Sequence, residues 1–208
     1  MKRFSILILA CLCLTLAQAQ TNHLKFKGVP INGTLEQFTR QLVKKGCTLQ
    51  NINESVSYLR GDVSKYKDCI ILCMASPMCN SLVYQVSILS SECTTWEGLD
   101  GLYTMYRGLK KLLIQKYGEP AMCYEEFTSD TEPEDDETKF LYACMKKCLF
   151  SSVFQLAEGE ITLGIAPGEC RIMLIYKDKI NSEKVAKKEA EDLLLKSALR
   201  ILLQTVSH

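Results

Sequence analysis

Residues 82–89, Leu-Val-Tyr-Gln-Val-Ser-Ile-Leu, alternate Val83, Gln85 and Ser87 with Leu82, Tyr84, Val86 and Ile88. A period of two puts the first set on one side of a strand and the second on the other, so the segment reads as a half-buried antiparallel strand. Two shorter strand candidates precede it, at 56–59 and 69–74, separated by Gly61-Asp62 and by residues 77–80. Further upstream, Leu35, Phe38, Leu42 and Val43 repeat at helical spacing behind Thr34, a good N-cap, and Gly46 is a stop, so 34–45 reads as an amphipathic helix. Before it, Leu24, Phe26 and Val29 read as a short strand that turns at Pro30, Asn32 and Gly33.

Downstream, Thr94 or Thr95 opens a longer helix. Trp96, Leu99, Tyr103, Tyr106, Leu109, Leu112 and Leu113 keep helical spacing up to Lys116, and Gly118 with Pro120 ends it. Residues 122–127 read as a strand and the acidic stretch 129–139 as a solvated loop. Residues 140–156, broken in the middle, 161–165 and 170–176 read as further strands, turned by Glu158-Gly159 and Pro167-Gly168. Asn181 or Ser182 caps a last helix over 183–203, whose second half carries Leu193, Leu194, Ala198, Ile201 and Leu202 on an apolar face. The set is α+β, with one or more antiparallel sheets packed against two or three helices. A helix, a glycine stop and antiparallel strands occur twice, with Gly46 and Gly118 72 residues apart. Two readings fit: a duplicated helix-plus-strands unit with halves 20–117 and 118–208, and a single sheet covered by helices on one face.

The first 19 residues read as a cleavable secretory signal. Lys2 and Arg3 form its positive end, residues 4–16 its apolar centre, and Ala17-Gln18-Ala19 its cleavage site. A competing lipoprotein reading, with Cys11 as the lipidated residue, leaves only residues 4–10 as the apolar centre and places bulky Leu9 at a small-residue position. No later stretch is apolar for long enough to span a bilayer, so residues 20–208 are expected to form a soluble α+β domain in the periplasm or outside the cell.

Removing Lys2 and Arg3 leaves 23 basic against 24 acidic residues, a net charge of −1, which provides no field to gather nucleic acid or an anionic membrane. The two histidines, His23 and His208, lie near the ends of the chain. Ser-His-Asp and Cys-His catalysis and His-ligated zinc therefore have no candidate in the interior of the sequence. No phosphate-binding glycine loop, nucleophile elbow or dinucleotide fingerprint occurs, and no cofactor is expected.

Nine cysteines remain after the signal: Cys47, Cys69, Cys73, Cys79, Cys93, Cys123, Cys144, Cys148 and Cys170. Outside the cytoplasm disulfides are the default, and an odd count leaves at least one thiol free or paired between molecules. Cys148 is in phase with Phe150 and Phe154, and Cys170 with Ile172 and Leu174, so Cys148 and Cys170 are the expected disulfide. Cys69 with Cys73 and Cys144 with Cys148 have three residues between them, where zinc ribbons have two, so no metal site is expected. The acidic residues 130–137 lack the order of a calcium loop. Trp96, Tyr103 and Tyr106 read as a buried helix face before an aromatic ligand platform. Asn32 and Asn53 begin glycosylation sequons, which matter only in a eukaryotic cell.

Residues Phe26-Lys27-Gly28-Val29-Pro30-Ile31, Tyr66-Lys67-Asp68-Cys69, Lys116-Tyr117-Gly118-Glu119-Pro120 and Tyr176-Lys177-Asp178 together resemble a group of small exported proteins of Gram-negative anaerobic bacteria. The resemblance spans most of the chain after the signal and implies bacterial export and a shared fold; no activity is attached to the group. Cys73, Cys79 and Cys93 depart from its pattern. The expected function is that of a non-enzymatic exported module. It would bind an extracytoplasmic protein or a small apolar ligand through a sheet face or through Leu194, Ala198, Ile201 and Leu202 of the last helix. A carboxylate-dependent hydrolase of an envelope polymer and an inhibitor of a secreted enzyme are the alternatives, the first because paired carboxylates need no histidine.

Overall fold

The computed structural model describes residues 22–128 and 133–206, with side chains as far as residue 198. The expected signal, residues 129–132 of the acidic stretch, the side chains of Ile201 and Leu202, and His208 lie outside the described residues. Strands β1 (Lys25–Phe26) and β2 (Val29–Pro30) form a small hairpin. It turns through Lys27 and Gly28, both at positive φ. Helix α1 (Leu35–Lys44) starts with a reciprocal cap: the Gln37 backbone N–H donates to the Thr34 hydroxyl at 3.3 Å, and the Thr34 N–H donates to the Gln37 carboxamide at 3.2 Å. Gly46, at φ 87°, lets the chain leave the helix.

Four strands follow: β3 (Thr48–Ile52), β4 (Val56–Val63), β5 (Tyr66–Ser76) and β6 (Leu82–Leu89). After a 3₁₀ turn at Trp96–Gly98 comes α2 (Leu99–Tyr117), then β7 (Met122–Phe127), α3 (Asp136–Cys144), β8 (Cys148–Leu156), β9 (Gly159–Ile165), β10 (Ile172–Asp178) and α4 (Lys179–Val206). The eight strands β3 to β10 form one antiparallel sheet in the order β3-β4-β5-β6-β10-β9-β8-β7. A helix followed by four antiparallel strands is thus laid down twice, in opposite directions. The last strand of each run, β6 and β10, meet at the centre of the sheet, with Ile88 opposite Leu174.

The α+β reading holds, with four helices among the described residues, and several element bounds need correction. Strand β3 escaped the reading because all five of its residues are exposed at the sheet edge and leave no apolar alternation. Helix α2 begins at Leu99 because the Thr95 side chain makes no capping bond, and the chain takes a 3₁₀ turn first. The acidic stretch read as loop becomes helical at Asp136, and β8 starts only at Cys148. The Asp135 carboxylate accepts the Thr138 N–H at 2.7 Å, and Asp136 and Glu137 stand at the positive end of the helix. In β6, Val83 turns inward to complete burial instead of sharing the Gln85 face, because the ladder slips by one residue where Met74 gives way to Ala75.

The pairing registers separate the two faces of the sheet. Leu59, Ile71, Ile88, Leu174, Leu163 and Ser152 lie in one cross-strand row, and all are buried. Ser57, Cys73, Val86, Tyr176, Ile161 and Phe154 form the next row on the same side. Helices α1 and α2 dock there. The Thr39 hydroxyl of α1 donates to Ser57 at 2.8 Å, and the Tyr106 hydroxyl of α2 bonds Ser152 at 2.8 Å, while Phe38, Leu42, Leu102 and Leu109 fill the space between. Burying each such side chain contributes roughly 1.5–3 kcal/mol.

Candidate binding surface

The opposite face of the sheet follows from the same registers. One row runs Tyr58, Leu72, Ser87, Ile175, Thr162, Val153 and Met122. The neighbouring row runs Arg60, Ile70, Leu89, Met173, Gly164, Ser151 and Tyr124. Apart from Ser87 and Gly164, none of these residues is buried, and Met122 and Tyr124 are 47% and 46% exposed. The result is a largely apolar band crossing seven strands, interrupted by Arg60, Ser87, Ser151, Thr162 and Gly164 and bordered by Gln85, Lys177, Glu160 and Gln155. A bare apolar sheet face with a polar border is the kind of surface through which proteins associate.

Two grooves flank the band. The first, about 290 Å³, is lined by Arg60, Asp68, Ile70, Ser90, Glu92 and Arg171. Its two guanidinium groups are already engaged, Arg60 with Asp68 and Arg171 with Glu92 at 2.7 Å. The second, about 400 Å³, lies where α4 leaves the sheet, between Gln155, Glu160, Lys177, Lys179, Ser182 and Glu183. Glu160 accepts from Gln155 at 2.6 Å and from Thr162 at 3.2 Å. Glu160 and Glu183 share this groove with Lys177 and Lys179. Every described carboxylate with a shifted pKa, Asp62, Glu125 and Asp135, is shifted down.

Among the described side chains, those that tie helix α4 to the body lie at its start. Asn181 is fully buried and donates to the Ile31 carbonyl at 3.0 Å and the Val83 carbonyl at 2.8 Å, and Val185 is buried one turn later. Beyond them Leu193, Leu194 and Leu195 are 67%, 71% and 60% exposed, and Ala198 is exposed. Of the expected helix surface, Leu194 and Ala198 therefore stand open, and Ile201 and Leu202 fall among the undescribed side chains. Asn181 does not act as the helix cap. The buried Asp178 carboxylate does, accepting the Asn181 N–H at 2.9 Å.

Asp178 also brings the N-terminal histidine into the folded body, which sequence position alone did not suggest. His23 Nδ1 stands 3.1 Å from the Asp178 carboxylate, and the Leu24 N–H donates to it at 2.9 Å. Three partners from two ends of the chain occupy this carboxylate, so it serves as a clasp. A second polar cluster lies under α2. The Lys110 ammonium donates to the Cys123 sulfur at 3.0 Å and to Glu125 at 2.6 Å, and Cys123 lies 3.6 Å from the Ser152 hydroxyl. Burial works against the Lys110 charge, yet its bonds to Glu125 and Cys123 raise its pKa overall.

The aromatic helix residues divide. Tyr106 is buried, its hydroxyl pushed up to about 12 by burial despite the Ser152 bond, and Tyr103 packs on Phe150 at 5.1 Å between ring centres. Trp96 lies outside α2 and is 46% exposed, so the three do not form one platform. The sequon asparagines are engaged in turns: Asn32 accepts the Gly33 N–H at 2.7 Å, and Asn53 accepts the Ser55 N–H at 2.9 Å. Among the described residues no group of three or more histidine, cysteine or acidic side chains is placed to hold a metal, and no helix is long and apolar enough to cross a membrane.

No two described cysteine sulfurs lie at bonding distance. Cys148 and Cys170 are both buried, as their phase suggested. The sulfur facing Cys170 at 3.1 Å belongs to Cys144, at the end of α3. Cys47, Cys69 and Cys73 are buried beneath the helices, Cys69 near Met105 and Leu109 of α2, and burial pushes the Cys73 thiol up to about 12. No known protein-family model, curated protein or solved structure matches the chain.

Proposed function

We propose that this chain is an exported, non-enzymatic binding module that receives the apolar surface of another extracytoplasmic protein on the outer face of its sheet. One observation carries the reading: α1 and α2 both dock on one face of the eight-stranded sheet, and the apolar rows on the other face are left half-exposed. Small apolar ligands are taken up in concave, enclosing sites. The band from Tyr58 to Met122 lies instead on an open sheet surface, while the adjacent grooves are lined largely by charged and polar groups. That geometry suits a protein surface.

The test is the binding of anilinonaphthalene sulfonate, a fluorescent reporter of exposed apolar surface, to the folded protein. The native chain should enhance its fluorescence. A Met122→Glu/Tyr124→Glu/Ile175→Thr variant with an unchanged circular dichroism spectrum should lose most of the enhancement. A native protein that gives none, or a variant that keeps all of it, would overturn the reading.

A further inference from the structure

Two segments distant in the sequence are brought together at one end of the second set of strands. Helix α3 ends at Cys144, which is exposed, and the link between β9 and β10 carries Cys170, which is 1% exposed and held at φ 44°. Their proximity does not depend on sulfur. The Gly168 N–H donates to the Ala143 carbonyl at 3.2 Å, and the Cys93 N–H donates to the Cys170 carbonyl at 2.9 Å, so backbone bonds fix both sides of the contact. Within that frame the two sulfurs stand 3.1 Å apart, and a bond requires about 2.05 Å, a closure of roughly 1 Å that side-chain rotation can supply.

We propose that Cys144 and Cys170 form a disulfide when the folded protein meets a small-molecule disulfide such as oxidised glutathione, and that this bond is the protein's oxidised form. The Cys144 thiolate attacks one glutathione sulfur, breaking the glutathione S–S bond and releasing one glutathione thiolate. The Cys170 thiol then loses its proton to the departing thiolate, and its sulfur attacks Cys144, releasing the second glutathione. Two protein thiols are oxidised, and one glutathione disulfide is reduced to two thiols.

Cys144 is the point of entry on two grounds. It is the exposed member of the pair, and the Cys170 thiol is pushed up to about 12, first by burial and then by its contact with Cys144. The product ties the end of α3 to the β9–β10 link. The inference stands independently of the outer sheet face.

The experiment is to incubate the folded full-length chain with oxidised glutathione, unfold it in iodoacetamide without reductant, and map the digest by mass spectrometry. The expected product is a linked peptide pair joining Cys144 and Cys170. The link should persist in Cys148→Ser and Cys93→Ser, and Cys144→Ser should leave Cys170 alkylated. A wild-type link from Cys170 to Cys148 or Cys93, or complete alkylation of both Cys144 and Cys170, would overturn the proposal.

Discussion

At the scale of single residues, Asp178 binds the ends of the chain to each other. Its carboxylate accepts from Leu24, Asn181 and His23, and it is completely buried. Asp178→Ala would strand two buried N–H donors, and urea titration should show a loss of about 3 kcal/mol. Glu125 gives a pH-dependent case. Burial alone would raise its pKa, but the bond from Lys110 and that ammonium's charge outweigh burial and lower it. The folded state therefore keeps Glu125 ionised to lower pH than the unfolded chain does. Its contribution is fully present above the ordinary carboxylate value of about 4.3 and is lost as pH falls through the folded value. Glu125→Gln should reduce stability near neutral pH by no more than about 1 kcal/mol, a figure discounted because Glu125 is over a third exposed. In urea titrations repeated at decreasing pH, the deficit should close in acid.

At the scale of elements, local signals carried some segments and failed others. The cap of α1 lies within four residues, Thr34 to Gln37, and β6 and β7 were legible because their turns flank a short strand. Helix α3 was missed because its start is built of acids that also make good solvated loops, and the Asp135 cap becomes evident only once Thr138 folds back onto it. Asp135→Ala should cost about 1 kcal/mol, measurable by thermal or chemical unfolding. Among the described side chains of α4 the buried ones lie in the first two turns, at Asn181 and Val185, while Leu193 to Leu195 are largely exposed. Truncation after Asp192 should therefore change the unfolding free energy by less than about 0.5 kcal/mol. A larger loss would show that the leucines pack where the structure leaves them open.

At the scale of the whole molecule, the two strand runs share one core through the β6–β10 pair. Leu174→Ala should cost about 3 kcal/mol and shift a single unfolding transition without splitting it, as followed by circular dichroism and Trp96 fluorescence. The bare face was legible only as an alternative, because which alternating set faces the helices depends on cross-strand register, and register is a long-range property. The same holds for Cys144 and Cys148: both lie close to the turn between α3 and β8, and only the fold decides which sulfur meets Cys170. The two outermost strands bear on the chain's fate at high concentration. β3 is kinked by a bulge between Leu49 and Asn51, and β7 carries the adjacent acids Glu125 and Glu126. An irregular backbone at one margin and charged side chains at the other deny an incoming copy a straight template, which works against growth of the sheet into a fibre.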